Sequence, residues 1–261
     1  MGLDAANLGL LTAVYFLVLA GAQIPIGVLL DRFGPRRVQS VLLVVAAGGA
    51  ALFAASTGLL ELLIARAMIG IGVAAALMAG LKAIVTWFPR ERVALINGYM
   101  IMLGALGAVT ATAPAEWLMG YSGWRGLFEL SAAATLAAAL LIFLAVPDKA
   151  QLVLPQRTSL KLGAIYRDPR FWRIAPLSAS CIGSAWSLQG LWAAPWLADV
   201  EGFNREALIA QLFLMAIAVC LGALLLGTIA DRLRRRGIGT ETLFAAVVAL
   251  FVIAELALIM R

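Results

Sequence analysis

The chain has 261 residues, of which 63% are hydrophobic and 13% are charged. Soluble domains average about 45–50% apolar and about 25% charged residues, so this composition excludes an ordinary soluble fold. The net charge of +6 comes from basic residues between apolar runs, and the chain has no histidine. This pattern indicates membrane orientation rather than nucleic-acid binding, and it removes the commonest metal ligand and general base.

Eight apolar runs are each long enough to cross a bilayer as a helix, which needs about 20 residues. They are too long and too uniformly apolar for the alternating strands of a membrane barrel. The sequence therefore predicts an all-α polytopic membrane protein. The predicted crossings are 8–30, 38–57, 60–88, 94–117, 125–146, 171–198, 206–230 and 241–260.

Basic residues are distributed unequally over the two sides of these crossings. On one side lie 15 of the 20 Lys and Arg residues, which predicts that this side faces the cytoplasm and that the protein lies in the cytoplasmic (inner) membrane. The same side carries the one long polar stretch, in which we expect a short surface helix near 160–167. The predicted domains are an N-terminal bundle (1–146), a cytoplasmic linker (147–170) and a partial C-terminal bundle (171–261).

A charged turn occurs twice, at an offset of 200 residues. The first copy, 27–37, follows an apolar run and contains Asp31 and Arg32, and the second, 227–236, contains Asp231 and Arg232 in the same context. Two copies in register indicate an internal duplication, which is typical of transporters built from two related bundles.

The first turn resembles the signature loop of the major facilitator superfamily, which joins the second and third transmembrane helices there and recurs between the eighth and ninth. The stretches 66–75, 87–92 and 123–125 also resemble motifs of that family. The resemblance implies a twelve-helix bundle, of which this chain would be a truncated fragment with about eight helices, equivalent to the second to ninth. The turn residues that carry it are Gly27, Asp31, Arg32, Gly34, Arg36 and Arg37, with Gly227, Asp231 and Arg232 in the second copy.

The resemblance also implies a conformational role for both turns. In the family, this loop is thought to hold the two bundles together when the transporter opens outward. A charge cluster that forms in one state and breaks in the other would bias a rocking motion of the bundles. The alternative, strongest for Arg36 and Arg37, is that these charges only set the topology.

Two cations, Arg66 and Lys82, fall within one apolar run. A cation at the centre of a membrane helix costs about 2.5–3.5 kcal/mol on insertion scales, so it usually faces a water-filled path or a partner charge. The two residues differ by about 160° around a straight helix. Both therefore reach one cavity only if the helix bends, near Gly70, Gly72 or Gly80, and otherwise each side chain extends towards its nearer interface.

Three further residues are candidates for a substrate or coupling site. Glu116 either carries a coupling proton or lies at the membrane interface. Gln189 either lines a path or forms hydrogen bonds between helices. Trp192 either contacts substrate or packs among the helices.

The leading hypothesis is a secondary active transporter that moves a small solute by alternating access. Two buried cations with few buried anions favour an organic anion, with protons as the coupling ion of a symport. The alternatives are a drug or metabolite efflux transporter and a truncated membrane protein that does not transport. We expect a monomer whose partners are the solute, protons and the lipid bilayer. We expect no enzyme activity, catalytic residue, metal, cofactor or nucleic-acid partner, because no catalytic constellation is evident.

Overall fold

A computed structural model describes residues 4–147 and 162–259, and these residues form helices without any β-strand. The all-α polytopic membrane fold is thereby confirmed. The chain divides into two compact units, Met1–Leu152 and Val153–Arg261. The helices are α1 (Ala5–Phe33), α2 (Pro35–Ala55), α3 (Leu59–Val73), α4 (Ala76–Trp87), α5 (Arg90–Thr110), α6 (Ala113–Ala145), α7 (Leu162–Arg167), α8 (Pro169–Ser187), α9 (Ala193–Asp199), α10 (Arg205–Arg235) and α11 (Thr240–Ile259).

Five helical segments of the described chain are long and apolar enough to cross a membrane. They comprise α1, α2, the α3–α4 segment, α6 and the first part of α10. Two shorter apolar stretches, Leu95–Thr110 and Ala245–Ala257, fall on α5 and α11. The remaining predicted crossing, 171–198, falls on α8, α9 and a π-helical turn between them, at Leu188–Trp192.

The connection between α1 and α2 is a single residue, Gly34. Its φ is +80°, in the region that only glycine adopts without strain. Its amide donates a hydrogen bond to the carbonyl oxygen of Leu30, which closes the last turn of α1. Pro35 then begins α2, where its fixed φ suits the first helical position. The sharp reversal of the chain therefore depends on the Gly-Pro pair.

The predicted crossing 60–88 is interrupted between α3 and α4, at Ala74 and Ala75. Two glycines of α3 allow close packing just before this interruption. A Cβ atom on Gly70 would lie 2.8 Å from the carbonyl oxygen of Tyr15 in α1, and one on Gly72 would lie 2.5 Å from the backbone nitrogen of Ala46 in α2. The third crossing is thus fixed against two neighbours just before this interruption.

A predicted boundary in the first unit is wrong, since the crossing 94–117 ends early, with α5 stopping at Thr110. The crossing 125–146 begins close to where the sequence predicted, because α6 consists of two helical stretches that meet at a kink at Gly123, whose φ is +66° and ψ is −179°. The first of these stretches begins at Ala113 and lies between α5 and the kink.

The first unit has two apolar clusters, at opposite ends of α1 and α2. One joins the end of α1 and the start of α2 to the α3–α4 interruption, through Ile26, Leu30, Val38, Leu42, Ala74, Ala75 and Ala79. The other joins the opposite ends, through Leu11, Phe53, Leu62 and Ala65, with Trp124 and Phe128 of α6 packed against it. Two polar candidates adjoin the clusters in sequence, since Asp31 follows Leu30 and Arg66 follows Ala65.

In the second unit, α7 confirms the short helix expected near 160–167, within the residues that the structure describes. Asp168 separates it from α8 and caps α8, since its carboxylate accepts a hydrogen bond from the amide of Arg170 at 2.9 Å. The π-helical turn follows α8 and contains Gln189 and Trp192.

Candidate functional site

The two charged candidates that the structure brings together are Asp31 and Lys82. Asp31 lies in the last turn of α1, and Lys82 lies in the second half of α4. The Lys82 ammonium is 2.7 Å from Oδ1 of Asp31, and it donates a second hydrogen bond of 2.7 Å to the carbonyl oxygen of Leu30. Lys82 therefore binds both a carboxylate and the carbonyl end of α1, where the helix dipole favours a cation.

The Asp31–Lys82 pair is unevenly exposed, because 82% of the Asp31 side chain is accessible but only 31% of the Lys82 side chain. The stem of Lys82 is thus packed between helices while its ammonium reaches the surface. Arg66 and Lys82 were expected to point in nearly opposite directions from a straight helix. In the structure, the Lys82 side chain extends towards Asp31 at the end of α1.

Arg36 connects the same turn to the end of α6. Its Nε donates a hydrogen bond of 2.9 Å to the carbonyl oxygen of Phe143, and its guanidinium carbon lies 5.0 Å from the centre of the Phe143 ring. Arg32 lies over the ring of its neighbour Phe33 at 5.1 Å. The side chain of Arg37 is exposed. The turn therefore joins α1, α2, α4 and α6, with Gly27 facing open space.

The second turn is continuous with α10, because both Gly227 and Asp231 fall within that helix. The side chain of Asp231 and the surroundings of Gly227 lie outside the part of the chain that the structure describes. Arg232 is exposed near the end of α10. Gly237, with a φ of +87°, follows the helix end. A contact between the turn at 27–37 and its second copy at 227–236 therefore stays a prediction.

Arg66 lies in the middle of α3, among aromatic side chains from other helices. Its guanidinium carbon is 5.0 Å from the ring centre of Phe53 in α2 and 5.9 Å from that of Phe128 in α6. These contacts attract the cation without neutralising its formal charge.

No carboxylate pairs with Arg66 among the residues that the structure describes. Its Nε is buried and has no hydrogen-bond partner in that part of the chain. A buried donor without a partner costs about 1–3 kcal/mol, and more when it is charged. Arg66 is therefore a half-buried cation that retains unused capacity to bind an anion.

The aromatic contacts of Arg66 continue to a second cation, Arg125. The Phe53 and Phe128 rings are stacked with centres 4.1 Å apart, and the Trp124 ring meets Phe53 edge-on at 5.9 Å. Arg125 lies over Trp124 at 4.3 Å and donates a 3.1 Å hydrogen bond to the carbonyl oxygen of Ser56, at the end of α2. This row of rings holds α2 and α6 together beside Arg66.

Of the remaining candidates, one belongs to the first unit and two belong to the second. Glu116 is half-buried in the first turn of α6. Gln189 and Trp192 belong to the second unit, where both are exposed in the π-helical turn. No group of three or more His, Cys, Asp or Glu side chains that could hold a metal occurs in the residues searched, 4–147 and 162–259.

The sequence did not identify the aromatic partners of Arg66. Phe53 and Phe128 lie in ordinary apolar runs, and nothing in their spacing distinguishes them from packing residues. Only Trp124 and Arg125 could have been singled out from the sequence, because they belong to the stretch 123–125 that resembles a family motif. A pairing of Asp31 with Lys82 was consistent with the predicted topology, which places both near the same membrane surface.

Comparison with known proteins gives one consistent result. A family model described as Major Facilitator Superfamily matches residues 1–260. The chain is 26% identical over 253 residues to the probable sulfoacetate transporter SauU of Cupriavidus necator, covering 90% of this chain and 59% of the relative. It is 28% identical to the hexuronate transporter of Escherichia coli K12 (69% of this chain, 45% of the relative) and 28% identical to the galacturonate transporter of Dickeya chrysanthemi (68% and 58%). The chain thus spans about half the length of these relatives.

Proposed function

The chain belongs to the major facilitator superfamily, and on this premise we propose that it serves the secondary active transport of a small organic anion. The observation that carries the choice of an anion is Arg66, which is half-buried, flanked by aromatic rings and free of any carboxylate partner in the described residues. A substrate carboxylate or sulfonate supplies the charge that this guanidinium lacks, through charge-assisted hydrogen bonds.

The named relatives support an anionic solute. Sulfoacetate, hexuronates and galacturonate, which appear in their names, are all anions at neutral pH because each carries a carboxylate or a sulfonate. Their sequence identity to this chain is between 26% and 28%, which is compatible with a different solute of the same chemical class.

The proposed mechanism is alternating access between two bundles, 1–146 and 171–261, joined by the linker 147–170. The Asp31 turn and its second copy at Asp231 act as paired contacts that form in one state and separate in the other. Gln189 and Trp192 contribute to the solute path from the second bundle. Glu116 carries a coupled proton. The protein lies in the cytoplasmic membrane with its basic loops towards the cytoplasm.

The direct test is counterflow in vesicles that contain the purified chain. Labelled galacturonate and sulfoacetate are each offered to vesicles preloaded with the same unlabelled anion, with a neutral hexose as the comparison solute. The proposal predicts saturable uptake of at least one organic anion and none of the hexose. Arg66→Gln abolishes that uptake, whereas the matched variant Arg92→Gln, which removes an exposed arginine, leaves it unchanged. Uptake by Arg66→Gln at the wild-type rate, or no anion uptake by the wild type, contradicts the proposal.

A pH gradient across the same vesicles tests the coupling. With proton symport, an acidic exterior drives uptake above equilibrium, and Glu116→Gln abolishes this accumulation while counterflow persists. If accumulation of the anion does not depend on the pH gradient, protons are not the coupling ion. The proposal that the solute is an organic anion is unaffected by that result.

A further inference from the structure

The corner between α7 and α8 carries three aromatic side chains in contact. Tyr166 and Phe171 meet edge-on with ring centres 5.3 Å apart, and Phe171 and Trp172 do the same at 5.4 Å. The indole nitrogen of Trp172 donates a 2.8 Å hydrogen bond to the carbonyl oxygen of Tyr166, which fixes α7 against the start of α8. The corner is thus a defined structure although α7 is only one turn and a half long.

Much of this aromatic surface is uncovered within the described residues. Tyr166 is 50% exposed and Trp172 is 58% exposed, and the neighbouring Ile174 is 57% exposed. Because the Trp172 indole donor is already satisfied by Tyr166, what the ring presents outward is apolar surface. Such a patch is stable when acyl chains cover it, as at the boundary between headgroups and hydrocarbon where Trp and Tyr are enriched.

Three exposed arginines surround the patch, namely Arg167, Arg170 and Arg173. None of them forms an ion pair with a residue that the structure describes. The one acidic residue at the corner, Asp168, uses its carboxylate to cap α8. The corner therefore combines exposed rings with guanidinium groups that have no anionic partner in the described chain.

The position of the corner in the sequence fixes its depth. It lies where the polar stretch 147–170 gives way to the apolar run that begins at 171. A transition of this kind places the aromatic residues at the membrane surface and the arginines among the headgroups. Guanidinium groups bind phosphate oxygens through paired hydrogen bonds, which suits them to phospholipid headgroups.

We propose that the α7–α8 corner is a binding surface for an anionic phospholipid of the bilayer. Arg170 and Arg173, which are one helical turn apart, bind the headgroup phosphate, and Trp172 and Ile174 contact the first part of the acyl chains. An acidic protein surface accounts for the arginines but leaves the apolar side chains uncovered. The inference depends on the corner alone and is independent of the proposed transport of an anion.

The test is titration of the detergent-solubilised full chain with phosphatidylglycerol, with bound lipid counted by native mass spectrometry and phosphatidylcholine as the neutral comparison. A charge-assisted hydrogen bond to the headgroup phosphate contributes about tenfold or more to affinity. We therefore expect Arg170→Gln/Arg173→Gln to bind phosphatidylglycerol at least about tenfold more weakly than the wild type. The charge-preserving variant Arg170→Lys/Arg173→Lys retains most of the binding, which separates loss of charge from loss of fold.

The matched control is Arg92→Gln/Arg236→Gln, which removes two exposed arginines from other basic loops. It is expected to bind phosphatidylglycerol as the wild type does. The proposal is overturned if this control weakens binding as much as the corner variant does, because lipid then responds only to net charge. It is also overturned if phosphatidylcholine binds equally well, or if soluble glycerol 3-phosphate displaces the lipid at equal concentration, because the site then recognises free phosphate.

Discussion

The Asp31–Lys82 pair leads to an asymmetric prediction about stability. Replacing Asp31 with Asn removes an ion pair whose carboxylate is 82% exposed. Exposed pairs contribute about 0.2–1 kcal/mol, because water screens the attraction. Replacing Lys82 with Met removes the same pair and also the 2.7 Å hydrogen bond from the ammonium to the carbonyl oxygen of Leu30.

The lost hydrogen bond between Lys82 and the carbonyl end of α1 also contributes to stability. A cation at the carbonyl end of a helix contributes about 0.3–1 kcal/mol. Methionine keeps the packing of the buried Lys82 stem, so packing does not confound the comparison. We therefore expect Lys82→Met to lower the free energy of unfolding by about 0.5–2 kcal/mol, and Asp31→Asn by less than about 1 kcal/mol.

Unfolding in mixed micelles of dodecyl maltoside and sodium dodecyl sulfate, followed by helical circular dichroism, measures both changes. The double variant completes the thermodynamic cycle and isolates the pair energy, for which we expect about 0.2–1 kcal/mol. The reasoning is refuted if Asp31→Asn destabilises the chain more than Lys82→Met does. A pair energy indistinguishable from zero refutes it too, because the ion pair would then contribute nothing in solution.

Two further substitutions test the packing of the first unit. Gly72→Ala places a methyl group against the backbone of Ala46 and is expected to lower the free energy of unfolding by about 1–3 kcal/mol in the same assay. The control Gly104→Ala, whose added Cβ meets nothing within 4 Å in the described chain, is expected to leave it unchanged. Equal effects of the two substitutions would rule out the close approach of α2 and α3. Gly34→Ala imposes a side chain at a φ of +80° and is expected to lower the free energy of unfolding by about 1–2 kcal/mol. An unchanged midpoint of the unfolding transition would show that the α1–α2 turn has a different conformation.

The sequence predicted the helices and the charged turn well, because both depend on local features. Long apolar runs determine where helices cross, and the Gly-Pro pair after Asp31 determines where the chain reverses. A bend near Gly70, Gly72 or Gly80 was one alternative for the third crossing. The helix is interrupted at Ala74 and Ala75, which keep helical backbone angles. Gly70 and Gly72 serve instead as points of close approach, against α1 and α2.

The surroundings of Arg66 could not be predicted, since they depend on which helices are neighbours. Phe53 and Phe128 come from α2 and α6, and no local pattern in either run indicates that both rings reach the same guanidinium. The π-helical turn at Leu188–Trp192 was missed for a different reason. A single widened turn leaves the hydrophobic period almost unchanged, so Gln189 and Trp192 were placed in an ordinary helix.

In the proposed transport cycle, Arg66 is the cation that binds the anion. Equilibrium binding of a labelled organic anion to the purified chain tests this role, with Arg66→Gln and Arg66→Lys compared with the wild type. A charge-assisted hydrogen bond contributes about 1.5–3 kcal/mol, so we expect affinity to fall by about 10- to 150-fold in Arg66→Gln and by less in Arg66→Lys. Equal affinity of the wild type and Arg66→Gln for the same anion would contradict the account.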